Sequence, residues 1–156
     1  MPAPINVNHI NPFLKATVET FRTMLNVDVK PGRLRLKDNT TSQHDISGII
    51  GLSGGAKGAI AISFPEAVAL DVVGKFIGET KTSMDEDVTD AVGELANIIA
   101  GAAKKDLVDF SISISLPSVI TGKGHSISEA KDVLSMVMPF TYEDKEFELG
   151  VALKSS

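Results

Sequence analysis

Leu14, Val18, Phe21 and Leu25 recur at helical spacing behind Asn11 and Pro12, a polar cap followed by a residue suited to the first helical position. This pattern predicts a helix over residues 11–26. The period then shortens: RLRLKD (33–38) and DISGIIGL (45–52) read as strands, SGGAKG (53–58) as a turn, and AIAISF (59–64) as the returning arm of a hairpin. PEAVALDVVGKFIGET (65–80) reads as a short amphipathic helix that begins with Pro65 and runs out at Gly78. A longer helix, 83–106, comes next. In FSISISLP (110–117) apolar and polar residues alternate strictly, which predicts a half-buried strand with Phe110, Ile112, Ile114 and Leu116 on one face. VLSMVMPF (133–140) and FELGVALK (147–154), joined by the turn-like TYEDKE, form a second hairpin with Leu149, Val151 and Leu153 on one face.

The element order helix, strand, hairpin occurs over residues 11–64 and again over 83–153. We therefore expect an α+β fold, internally duplicated, in which the helix-strand-hairpin units form an antiparallel sheet with the helices packed on one face. A pseudo-twofold axis should relate helix 11–26 to helix 83–106. Residues 1–156 are expected to form a single domain, since 43% hydrophobic and 22% charged residues suit a globular chain of this length.

Charge and cysteine narrow the function classes. A net charge of -5, with lysines and arginines scattered along the chain, argues against a nucleic-acid binder. Cysteine is absent, which excludes thiolate chemistry. MPAPINVNHINPF lacks the pattern of a signal peptide, and no apolar run is long enough to span a bilayer, so neither nucleic acid nor membrane insertion is expected. Cytoplasmic localisation is the expectation.

The helix SMDEDVTDAVGELANIIAGAAKK (83–105) carries the chemistry. Ser83 and Glu86 have capping-box spacing, and Lys104 and Lys105 suit the negative end of the helix dipole. Val88, Ala91, Leu95, Ile99 and Ala102 share an inward face, while Asp87, Asp90, Glu94, Asn97 and Gly101 fall opposite. Gly93, Ala100 and Gly101 are expected to leave the surface around Asn97 bare. The ordinary reading of such a stripe is a solvated face. Against it, Asn and Gly are costly inside a helix, Gly by about 1 kcal/mol relative to Ala, so three such positions around one carboxylate suggest a docking surface.

Asp90, Glu94 and Asn97, with Pro117 further on, resemble the motif of the CheC/CheX/FliY family of bacterial chemotaxis phosphatases, and the chain is most similar to its CheX branch. The resemblance covers nearly the whole chain, although Pro117 stands closer to the asparagine than the family spacing. It implies a hydrolase that removes the aspartyl phosphate from a CheY-type response regulator, in chemotaxis or another two-component pathway. Catalytic roles then go to Glu94 and Asn97, and contact with the partner to Asp90, Gly93 and Gly101. It also implies that the phosphorylated receiver domain supplies the Mg²⁺, that this chain needs no cofactor of its own, and that the protein pairs as a homodimer. FSISISLP and VLSMVMPF are the expected edges for that pairing. In the first helix Glu19 and Arg22 stand at the corresponding spacing, so a single working site is implied. Related folds also occur in flagellar-switch proteins, so a non-catalytic interaction module is the alternative.

The residues suit that chemistry independently. An acyl phosphate is already activated, and an amide can hold a water in line with the phosphorus as a glutamine does in GTPases. A carboxylate one turn away can accept a charge-assisted hydrogen bond from a partner's lysine.

Other segments have plainer readings. In GLSGGAKG (51–58), Lys57 is followed by Gly58 rather than Ser or Thr, so a hairpin turn is expected instead of a phosphate loop. TGKGHS, with Thr121, Lys123 and His125, reads as a loop. His9, His44 and His125 are not at ligand spacing. Asp85, Glu86 and Asp87 favour the start of the long helix.

Overall fold

The computed structural model describes residues 7–37, 44–125 and 133–155. Asp38 of the expected first strand and Ser126 of the expected loop lie outside them. A 3-10 turn, Val7–His9, leads into α1, Asn11–Thr20. Asn11 and Pro12 fall inside the first turn, and Ile10 holds the cap position without a side-chain hydrogen bond. After Thr20 the helix widens into one π turn, Phe21–Leu25, and stops at Asn26, whose φ of 58° ends the helix in the left-handed region. Phe21 and Leu25 are thereby both buried, and Phe21 stacks on Phe147 with ring centroids 4.7 Å apart.

The strands are β1, Lys30–Pro31; β2, Arg35–Leu36; β3, His44–Ser53; β4, Ala56–Phe64; β5, Ser113–Ile114; β6, Ser118–His125; β7, Leu134–Tyr142; and β8, Lys145–Ser155. All their pairings are antiparallel. From one edge the order is β1 and β2, then β7, β8, β4, β3, and finally β5 and β6. Exchanging the strands of the first unit for those of the second reverses this order onto itself. The duplication is therefore built into the pairing: each unit's leading strands cross over to the other unit's hairpin. α2, Glu66–Ile77, stands between the units, and α3, Glu86–Lys104, opens the second. α1, α2 and α3 pack on one face of the sheet, with α1 against α3.

Beneath the helices lie Ile46, Ile50, Ile60, Ile62, Phe64, Phe147, Leu149 and Val151, all essentially buried. Alternation turns the next residues to the other face of the sheet, where the buried Ser47 and Ser63 share a hydrogen bond of 2.7 Å and the buried Glu148 pairs with Arg35 at 3.1 Å and His44 at 3.2 Å. α2 is tied to β7 by Tyr142 Oη, which donates to Asp71 Oδ2 at 2.7 Å. Burial and the adjacent Asp71 carboxylate push the Tyr142 phenol well above its ordinary pKa.

The expected strand over 110–117 is corrected. Phe110 closes a 3-10 turn, Val108–Phe110, and only Ser113–Ile114 form a strand. Phe110 and Ile112 are buried as expected, but Leu116 is 88% exposed. Ser115 explains the early break: its amide still donates to the Gly51 carbonyl at 2.9 Å, but the Gly51 amide donates to Ser115 Oγ at 2.8 Å instead of to a ladder carbonyl, and Pro117 two residues on has no N–H to offer. TGKGHS is corrected in the opposite sense, because residues 121–125 belong to β6, paired along β3 across an irregularity between His44 and Ile46. A neighbouring strand supplied the partner that glycine-rich local sequence did not advertise. The expected dimer edge at VLSMVMPF is also corrected, since β7 has partners on both sides.

Candidate functional site

α3 starts one residue after Asp85, whose Oδ1 accepts from the Val88 amide at 3.1 Å. This corrects the expected Ser83 cap. Asp85 wins because its carboxylate is a stronger acceptor and is itself held by Lys81 Nζ at 2.6 Å. The Lys81 ammonium keeps the Asp85 carboxyl below its ordinary pKa.

The inward face of α3 consists of Val88, Val92, Leu95, Ala96, Ile99 and Ala103, all buried, whereas Ala102 is only half-buried. Val92 and Ala96 rest on Gly48 of β3. A Cβ at Gly48 would stand 2.9 Å from the Val92 carbonyl oxygen and 3.2 Å from the Ala96 Cβ, so the helix sits as close to the sheet as small residues permit. That seat directs Asp90, Glu94, Asn97 and Gly101 away from the core. Asp90 and Glu94 are exposed, and Asn97 and Gly101 are half-buried.

Two of the positions expected to bare the surface do not do so. Gly93 and Ala100 are buried. Gly93 forms a recess that takes Pro117 and Val119, whose carbons lie 3.3–3.6 Å from where a Cβ would be. Pro117, distant in sequence, thus forms a wall beside the Glu94–Asn97 turn, and Gly93 makes room for that wall. Gly101 meets the expectation, since a Cβ there would find nothing within 4 Å.

Among the described residues, the side chains of Asp90, Glu94 and Asn97 enter no hydrogen bond or ion pair within the chain. A carboxylate and an amide one helical turn apart, on a rigid helix, are left with their full capacity for an incoming group. Sequence reasoning missed Phe76, Ile77 and Glu79, which line a cleft with Asp87, Asp90 and Glu94. Phe76 and Ile77 come from the end of α2 and Glu79 from just beyond it, where no motif marks them.

On α1, Glu19 is exposed, but Arg22 lies beyond the change from α to π winding and its Nε pairs with Asp28 Oδ1 at 3.0 Å. The other candidates resolve simply. Lys57 is a residue of β4, after a hairpin turn at Gly54 and Gly55. His9 stands edge-on to Phe110, while His44 and His125, remote in sequence, are register partners between β3 and β6. Among the described residues no group of three or more His, Asp or Glu is arranged to hold a metal, and no helix is long and apolar enough to cross a membrane.

Residues 46–141 match the family model described as chemotaxis phosphatase CheX. The chain is 28% identical over 149 residues to the CheY-P phosphatase CheX of Thermotoga maritima, covering 94% of this chain and 96% of that protein. Its fold is similar to that of the chemotaxis protein CheX from Vibrio vulnificus, with a TM-score of 0.89, 31% identity, and coverage of 95% of this chain and 100% of that one. It is also similar to a chain of the CheX–CheY–BeF3–Mg²⁺ complex from Borrelia burgdorferi, with a TM-score of 0.84, 30% identity, and coverage of 96% and 100%. With the duplicated fold, the outward-facing Glu94–Asn97 turn and these likenesses together, the chain belongs to the CheX family of chemotaxis phosphatases.

Proposed function

We propose that this protein hydrolyses the aspartyl phosphate of a CheY-type response regulator in chemotaxis. The observation that carries the reading is the Glu94–Asn97 pair, outward-facing and unengaged within the chain, on the regular helix of a CheX-family fold. The amide of Asn97 holds a water in line with the phosphorus. As the water oxygen bonds to phosphorus, the bond from phosphorus to the aspartyl oxygen breaks and its electron pair returns to the carboxylate. Inorganic phosphate departs with the water's protons, shared with bulk solvent. Glu94 accepts a hydrogen bond from a lysine of the receiver and keeps the two active surfaces in register. The Mg²⁺ that neutralises the phosphoryl oxygens belongs to the receiver domain.

A homodimer is part of this proposal. Its contact is assigned to the outer edge of β6 and the exposed side chains of Leu116 and Ile120, because β7 is an inner strand. A monomer mass in light scattering at micromolar concentration would remove that element.

Asn97→Ala tests the mechanism. Single-turnover dephosphorylation should slow by about a hundredfold, the scale on which mispositioned reactants lose rate, while affinity for a receiver carrying a stable phosphoryl mimic stays near wild type. Glu94→Ala should weaken both binding and rate, binding by about 1–3 kcal/mol for a charge-assisted contact. Full activity in Asn97→Ala overturns the mechanism. Binding without any acceleration by the wild-type chain makes it a non-catalytic interaction module of response regulators.

A further inference from the structure

The last turn of α2, Glu79 just beyond it and the first half of α3 line a shallow, open cleft of about 460 Å³ beside Glu94. Its apolar lining comes from Ala91, Phe76, which is partly buried, and Ile77, which is 40% exposed. Its rim carries the carboxylates of Glu79, Asp87, Asp90 and Glu94. Lys81 gives its shortest contact, 2.6 Å, to Asp85 and reaches Asp87 only at 3.6 Å and Glu79 at 3.8 Å. Asp90 and Glu94 have no cation within the described chain.

Apolar side chains beside several carboxylates suit a cation on a hydrocarbon stem. A bare divalent ion does not fit, because these carboxylates do not converge as a ligand set. A lysine or arginine side chain can lay its methylenes along Ile77 and place its head between Asp90 and Asp87. The cleft is continuous with Glu94, so its occupant comes from the same partner. We propose that it receives a second basic side chain of the receiver domain, separate from the one that meets Glu94, and thereby selects which receivers are recognised. This rests on the phosphatase reading, which puts the receiver on α3. Charge complementarity of this kind governs specificity and association rate more than the chemical step.

Ile77→Lys, which puts a cation of the protein's own into the cleft at an exposed position, should raise the Kd for a beryllofluoride-bound receiver by about tenfold. Asp90→Asn should raise it about threefold, and both variants should show a weaker salt dependence of binding than the wild type. Replacing the receiver's surface lysines and arginines one at a time with glutamate should yield one exchange that restores binding to Ile77→Lys. Wild-type affinity in both variants, or no restoring exchange, overturns the cleft proposal while leaving the phosphatase reading intact. Failure of the wild-type chain to bind any phosphorylated receiver overturns both.

Discussion

α1 and α3 open the two halves of the duplicated element order, and each carries a glutamate followed three residues later by a polar side chain, Glu19 with Arg22 and Glu94 with Asn97. They diverge in winding and in engagement. α3 keeps regular α geometry through Glu94 and Asn97, and nothing in the described chain occupies either side chain. α1 switches to a π turn at Phe21, between Glu19 and Arg22, and Arg22 is taken by Asp28. A helical site thus needs more than a pair of residues at i and i+3. It needs an unbroken turn between them and no local partner for either.

Unseating α3 should have the greatest effect. Gly48→Ala drives a methyl to within 2.9 Å of the Val92 carbonyl, and the helix must shift to accommodate it. We expect a loss of about 1–3 kcal/mol in urea unfolding, typical of overpacking, together with slower dephosphorylation in the fraction that remains folded. Unchanged stability would mean that the close approach at Gly48 does not position the site.

Gly101→Ala sharpens the contrast between folding and docking. A methyl there meets nothing within the protein, and alanine is the better helix former, so stability should rise by about 1 kcal/mol. If a receiver closes over this surface, affinity should fall even as thermal stability rises. Improvement in both, measured by calorimetry and by titration of the receiver, would place Gly101 outside the interface.

The smallest effect is expected from Arg22→Asn. It writes E-x-x-N into α1 but leaves the π turn in place, so we expect no phosphatase activity from that helix when Asn97 is also replaced. Loss of the Arg22–Asp28 pair, whose side chains are 62% and 81% exposed, should alter stability by no more than about 1 kcal/mol. Recovered activity in the Asn97→Ala background would show that winding is not what silences α1.

Much of this was legible in advance where local chemistry and periodicity agreed. The outward stripe of α3, the stop of α2 at Gly78, and both hairpins follow from helical spacing, glycine's left-handed conformation and alternation. FSISISLP misled because alternation reports which face a residue prefers and says nothing about where the ladder is interrupted; Ser115 and Pro117 broke the strand after Ile114, before pairing along β3 resumed at Ser118. TGKGHS misled in the other direction, because β3 supplied the partner that made it a strand.

Local sequence dictates the duplicated element order, the composition of α3's two faces, and the presence of a carboxylate and an amide one turn apart. These depend on residues close together in the chain, where rotation of about 100° per residue settles direction. Tertiary structure alone decided that Gly93 is a recess for Pro117, that Gly48 seats the helix, and that Ile77 and Glu79 join Asp90 and Glu94 around one cleft. Those contacts join residues from different elements, and which elements meet is set by packing the helices on the sheet, a long-range outcome that no local window of sequence encodes.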